Sequence, residues 1–292
     1  MIVPQTHPVS IHCETHGLAG NLVLPEGAAQ ATPVPGVLFP GEPGPSPQIR
    51  YSDEGAKQWP VLWSEALGGA GLAALCYDQR GGGLSSGAYH EADWTGLYAD
   101  ARAAADLLRL QPEVSQVAAV AWGDGCGFAL QLAAEGLVQA LVLMSPAYHT
   151  AEERYTADIS ALAARRGLSD RVVRIRVDQW KGEVLATARR VEEGETMAMT
   201  EVGGRTVLVN LMRFLQTTAF NPAAVLERVT VPVLLLHGQD DTAIPPAESA
   251  AMAQALSGPV ERIVYPGVAH FLYRHPRAVA DAATWLKRTL AD

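Results

Sequence analysis

Cysteine is scarce in this chain: Cys13, Cys76 and Cys126 make an odd count of 3 with no paired spacing. That excludes a disulfide framework or a cysteine-built zinc site as the organising feature, and a reducing cytoplasm is the expected setting. No run approaches the roughly 18 consecutive apolar residues of a membrane-spanning helix. The opening residues Met1-Ile-Val-Pro-Gln-Thr-His-Pro8 lack the basic segment and apolar core of a signal peptide. Lysine and arginine form no cluster, and a net charge of −9 leaves no electrostatic footprint for nucleic acid or an anionic membrane. Charged residues amount to 18% against 48% hydrophobic, which argues against disorder and suits a large buried core. No histidine or cysteine cluster falls at metal-ligand spacing, so neither metal nor cofactor is expected. The expected partner is a small-molecule substrate.

What is present is a regular alternation of strand and helix. Residues 9–24 alternate apolar and polar around Gly17 and Gly20, as an antiparallel strand pair at a sheet edge does. From residue 35 onward the strands are short continuous apolar runs, at 35–39, 73–78, 116–122, 140–145, 231–237 and 260–265. Such runs are expected where helices cover both faces of a parallel sheet. Helical stretches lie between them. Pro60 suits a first helical turn and Gly68 a helix end; Leu97, Ala101, Ala104 and Leu108 form one stripe; Trp285, Leu286 and Leu290 close the last helix. The expected fold class is therefore α/β, a doubly wound, mainly parallel sheet of about eight strands.

One segment interrupts the alternation. Over residues 148–226, Val173, Val177, Trp180, Val184 and Val191 recur at helical spacing, Gly203-Gly204 breaks the run, and Val207 to Phe220 reads as helix again. Asn221-Pro222 then starts a further short helix. The expected organisation is a core of residues 1–147 and 227–292 with a helical cap, 148–226, inserted over the carboxyl edge of the sheet. Trp180, Met197, Met199, Met212, Phe214 and Phe220 of the cap suggest an apolar acyl or alcohol group, although such stripes more often serve the core.

The run Val117-Ala-Ala-Val-Ala-Trp-Gly-Asp-Gly-Cys-Gly127 breaks an apolar strand at a glycine-rich turn and leads straight into the helix Phe128 to Ala134. It resembles the strand, sharp turn and helix of a nucleophile elbow, with glycine at 123 where a serine would stand. Four other stretches belong with it. Pro40-Gly41-Glu42-Pro43 resembles a His-Gly-x-Pro oxyanion turn, and Tyr77-Asp-Gln-Arg-Gly-Gly-Gly-Leu-Ser-Ser-Gly87 an Asp-x-Arg-Gly-x-Gly-x-Ser turn. His237-Gly-Gln-Asp-Asp-Thr-Ala-Ile-Pro245 resembles an acid turn and Pro266-Gly-Val-Ala-His-Phe271 a histidine loop. Together, with elbow, acid and histidine following one another along the chain, they resemble the α/β-hydrolase family over nearly the whole chain. The members most similar in pattern are bacterial esterase-like proteins with a small helical cap, whose elbow reads Gly-His-Ser-Glu-Gly-Gly or Gly-Trp-Ser-Asp-Gly.

That resemblance implies a site. His270 would be the base and Asp241 its orienting acid; Asp240 is the neighbouring alternative, but the Gly238-x-x-Asp spacing favours Asp241. The amides of Asp124 and Glu42 would bind the oxyanion. Their carboxylates carry less: Glu42 reads as a solvated turn residue, and Asp124 matches an acidic position common among the relatives. Asp124 could itself attack, as in dehalogenases and epoxide hydrolases, but that requires shifting the elbow by one residue. Cys126 reads as a core residue of the first helical turn. Gly123 excludes efficient serine catalysis, since removing a triad serine costs about 10⁶ in turnover. Three readings follow: an ester hydrolase whose serine has been replaced; a native-glycine enzyme using His270 and Asp241 as a general base, as a lyase, cyclase or water-attacking hydrolase; and a binding protein without turnover.

Overall fold

The structure, a computed structural model, describes residues 4–41, 58–202 and 205–291. The chain runs β1 (Gln5–His12), β2 (Gly17–Leu24), β3 (Val34–Leu38), α1 (Trp59–Gly69), β4 (Ala73–Tyr77), α2 (Trp94–Arg109), β5 (Val114–Trp122), α3 (Gly125–Ala134) and β6 (Ala140–Met144). It continues through α4 (Ala151–Arg166), α5 (Asp170–Glu192), β7 (Met197–Val202), β8 (Arg205–Asn210), α6 (Leu211–Ala219) and α7 (Ala223–Leu226). It ends with β9 (Val233–Gly238), α8 (Pro246–Ala255), β10 (Val260–Tyr265) and α9 (Pro276–Thr289).

Eight strands form one sheet in the order β1-β2-β4-β3-β5-β6-β9-β10. Pairings at the β1-β2-β4 end are antiparallel and the rest are parallel. β4, β6 and β9 are buried along their whole length, which accounts for their unbroken apolar runs. β1, exposed at most positions, sits at the edge. One face of the sheet is covered by α2, α3 and α8, with Leu97, Ala101, Ala104 and Leu108 of α2 at 1% exposure or less, so the expected stripe is the buried one. The other face packs on α1 and α9 through Trp59, Trp63, Leu67, Trp285 and Leu286. From β3 the chain steps to β4 on one side and later to β5 on the other. The carboxyl ends of β3 and β5 therefore flank a switch point, where open α/β sheets form their ligand crevice.

Between β6 and β9 the chain leaves the main sheet. Thr150 caps α4 through a capping box with Glu153, and Gly167 ends it in the left-handed region. α4 packs on α5, where Trp180 stacks on Tyr155 with ring centroids 5.4 Å apart. The expectation of a helix from Val207 is corrected: β7 and β8 form an antiparallel pair, Met197↔Asn210 to Val202↔Arg205, and helix begins only at Leu211. Two glycines between runs rich in Val and Thr favour a hairpin over a helix. Asn210 then caps α6 by accepting from the Arg213 amide at 2.9 Å. At the far end, Val225 and Leu226 of α7 are buried in the main core rather than in the insertion.

Candidate active site

β5 ends in a turn whose apex is Gly123, at φ +56°. Its amide donates to the Met144 carbonyl at the end of β6, and its carbonyl accepts from Cys126 at 3.1 Å to open α3. Asp124 is the residue before α3, so its N–H belongs to the helix start, where amides have no intrahelical acceptor. A Cβ added at Gly123 would meet nothing within 4 Å, so the space above the turn is open. Gly125 is glycine for another reason: a Cβ there would lie 2.5 Å from the Gly41 carbonyl. The loop after β3 is thus seated directly on the turn after β5. Tyr77, fully buried, donates its hydroxyl to the Pro40 carbonyl at 2.7 Å and holds that loop from below. Glu42, the residue expected to supply the second amide, lies outside the described residues.

His270 and Asp241 come together. His270 Nδ1 is 2.8 Å from Asp241 Oδ2, while the other oxygen, Oδ1, accepts from the amides of Ala243 and Ile244 at 3.0 and 2.9 Å. Asp240 is exposed, and its amide donates to the Val268 carbonyl. Burial works against the Asp241 anion. Hydrogen bonds from His237, His270 and the Ile244 amide outweigh it and hold the carboxyl well below the usual range. His237, fully buried, donates from Nε2 to the Ile244 carbonyl at 2.8 Å and so braces the acid turn. The loop carrying His270 is pinned by the Trp122 indole, which donates to the His270 carbonyl at 3.0 Å and lies 4.9 Å from the imidazole.

Two cavities meet at the turn. The larger, about 260 Å³, is lined by Trp122, Gly123, Asp124, Ser145, Ile244 and His270. A side cavity of about 30 Å³ runs from Gly123 and Asp124 toward Trp94, His149, Arg154 and Phe220. Asp124 is exposed to the open space of both cavities, yet densely surrounded by the walls of the crevice. That desolvation pushes its pKa up, opposed by Arg154, Arg213 and His270. Of the six apolar residues expected to shape the site, Phe220 lines the side cavity, whereas Met199, Met212 and Phe214 are among the exposed large side chains.

Several residues at the site carry no sequence motif. His149 pairs through Nδ1 with Glu248 Oε1 at 2.8 Å, and Glu248 Oε2 accepts from the amides of Tyr148 and His149. This pair fastens the start of the insertion to α8. Cys126 is buried, as expected, and its thiol faces the Met144 carbonyl. The Asp-x-Arg turn is structural. Asp78 accepts from the Leu84 amide at 2.8 Å, and Arg80 clasps both oxygens of Asp100 at 2.7 and 2.6 Å. Cys13 and His16 gather around Asp100 as well. Arg80 already neutralises that carboxylate, so the group is an ion-paired brace.

A histidine held at Nδ1 by a buried carboxylate keeps Nε2 free to accept and return a proton. Here that imidazole shares a cavity wall with the open apex of a strand-turn-helix.

The family described as Serine aminopeptidase, S33, an α/β-hydrolase family, matches residues 62–277, well over half of the chain. No curated protein matches. Among solved structures the chain is similar to Est1E from Butyrivibrio proteoclasticus, bound to ferulic acid, at 17% identity and a TM-score of 0.67 over 97% of this chain and 100% of that one. It is also similar to the hypothetical protein PA2218 from Pseudomonas aeruginosa, at 17% identity and 0.72 over 98% and 94%. A third similar structure is the Pyrococcus furiosus esterase PF2001, at 16% identity and 0.62 over 98% and 91%. At these identities the likeness is one of fold. With the sheet order, the switch-point crevice and the family match in agreement, the chain belongs to the serine aminopeptidase S33 family of α/β-hydrolases.

Proposed function

We propose that the chain derives from a hydrolase of small-molecule carboxylic esters or related acyl compounds, with Gly123 at the position of the nucleophilic serine. One observation carries the reading: His270, held from behind by Asp241, and a left-handed turn apex with open space above it line one cavity. With a serine at 123, Oγ would attack the acyl carbon while its proton passes to His270 Nε2, and Asp241 would balance the imidazolium. The Asp124 amide would meet the developing oxyanion, aided by the positive end of α3. Collapse would break the bond to the alcohol, which takes the proton back from His270. Water activated by the same imidazole would then release the acid. Residues 148–226 act as a cap over this crevice in the same reading. The three free thiols support a cytoplasmic setting. No helix among the described residues is long and apolar enough to cross a membrane.

The test is to restore the hydroxyl. Gly123→Ser is expected to hydrolyse p-nitrophenyl acyl esters well above the unmodified chain, which should sit near background, and adding His270→Ala should remove the gain. A folded Gly123→Ser that is inert on short and long acyl chains overturns the replaced-serine reading. If the unmodified protein then turns over another substrate in a His270-dependent way, the native-glycine reading takes its place. Its support is that Asp241 still holds His270 through Nδ1 and is itself held by two backbone amides although position 123 carries no hydroxyl.

A further inference from the structure

Two guanidinium groups stand where the insertion meets the elbow, and neither has a carboxylate in salt-bridge contact among the described residues. Arg154, on α4, lines the side cavity with Gly123 and Asp124, and its Nε is buried with no hydrogen-bond partner. Arg213, on α6, is 9% exposed. It donates to the Tyr89 hydroxyl and stacks 5.0 Å over that ring, but its Nη1 is buried and unpartnered. α6 packs on α4, and its C-terminal neighbour Phe220 walls the same cavity. Arginine stays charged at any working pH and is almost never buried without a counter-charge.

The other charges around the cavity do not supply one. His149 faces it but is answered by Glu248, and His270 is answered by Asp241. Asp124 remains, and both arginines favour its anion. Arg154 in the cavity wall is therefore answered only by Asp124 within the lining, and Arg213 on the neighbouring helix adds to the positive field there.

We infer that the side cavity is a carboxylate subsite: the substrate is a half-ester of a short dicarboxylic acid, its free carboxylate held by Arg154 within the field of Arg213 while its acyl carbon lies over position 123. The acyl half of this inference rests on the esterase reading; the anion half does not. The sizes agree. One water needs roughly 10–15 Å³ of such room, so a cavity of about 30 Å³ accepts one carboxylate-sized group, and the larger one of about 260 Å³ takes the ester end. Trp94, Leu130 and Phe220 wall the side cavity with apolar surface, which lowers the local dielectric and strengthens a charge pair inside it.

The experiment has two arms. Calorimetry on the unmodified chain compares monomethyl glutarate with neutral dimethyl glutarate. The half-ester is expected to bind about tenfold or more tightly, Arg154→Gln to abolish that preference and Arg154→Lys to retain part of it. Arg213→Gln should weaken the preference too; should that buried variant fail to fold, Arg154→Gln decides alone. Equal affinity for the two esters, no half-ester binding at millimolar concentration, or a preference that survives Arg154→Gln each overturns the subsite. In the second arm, Gly123→Ser is given p-nitrophenyl hemiglutarate and p-nitrophenyl valerate. Hydrolysis of both without preference overturns the subsite and leaves the esterase reading standing. No hydrolysis of either, with Arg154-dependent binding in the first arm, upholds the subsite and overturns the esterase reading.

Discussion

Gly123 occupies a conformation that a residue with a side chain enters only under strain, at φ +56°. The expected price of Gly123→Ser is about 1 kcal/mol of stability, since the open space above the turn adds no clash. Gly123→Ala should cost the same without creating activity, so thermal melts of the two variants against the parent separate strain from chemistry. A serine variant as stable as the parent would show that the turn relaxes instead. Gly125→Ala is a different case, because its Cβ would press on the Gly41 carbonyl at 2.5 Å. In the Gly123→Ser background it is expected to lower ester turnover at least tenfold by displacing the oxyanion loop. His270, Asp241 and Gly123 were legible in the sequence because each sits in a turn of recognisable form. His149 and Glu248, 99 residues apart, belong to no such turn, and nothing short of the folded chain brings them together. Arg154 and Arg213 read in the sequence as ordinary helical arginines.

At the scale of elements, apolar runs and turn residues were enough to read the main strands and the α2 stripe. Sequence periodicity does not reveal lateral order, so the placement of β4 on the far side of β3 from β5, which opens the crevice, came only with the fold. The hairpin β7-β8 is masked in the sequence for a local reason: Val207, Leu208 and Leu211 also satisfy a helical spacing, and Gly203-Gly204 suits a helix break as well as a chain reversal. One contact between elements carries a test. Tyr77, the last residue of β4, donates the only side-chain hydrogen bond that the Pro40 carbonyl receives among the described residues. Tyr77→Phe leaves that carbonyl short of a donor at a cost of about 1–3 kcal/mol. In the Gly123→Ser background kcat is expected to fall more than KM changes, because the loop positions an amide for the transition state. Steady-state kinetics and a melting curve on the same preparation check this, and an unchanged kcat would show that packing alone holds the loop.

The whole molecule is fastened at its two functional seams by carboxylates that must stay ionised. Asp241 ties the histidine loop to β9. Glu248 ties the start of the insertion to α8. For both, burial opposes the anion but hydrogen bonds prevail: from His237, His270 and the Ile244 amide at Asp241, and from the His149 amide and ring and the Tyr148 amide at Glu248. Both carboxyls are therefore depressed below their unfolded values of about 4. A group depressed in the fold stabilises it fully above the unfolded pKa and loses that contribution as pH falls through the folded one. Melting temperature is thus expected to stay level from neutral pH to about 5 and to drop progressively below it. Glu248→Gln should start lower at pH 7, because the His149 contact loses its charge, and should then fall less steeply between about pH 5 and 3, because one of the two linked groups is gone. Glu248 fastens the start of the insertion and not the sheet, so cleavage by an acid-active protease should appear first within residues 148–226. Melting curves across that range, read beside the proteolytic fragments, decide the matter. A Glu248→Gln curve as steep as the parent's would remove Glu248 from the acid response and leave Asp241 to account for it alone.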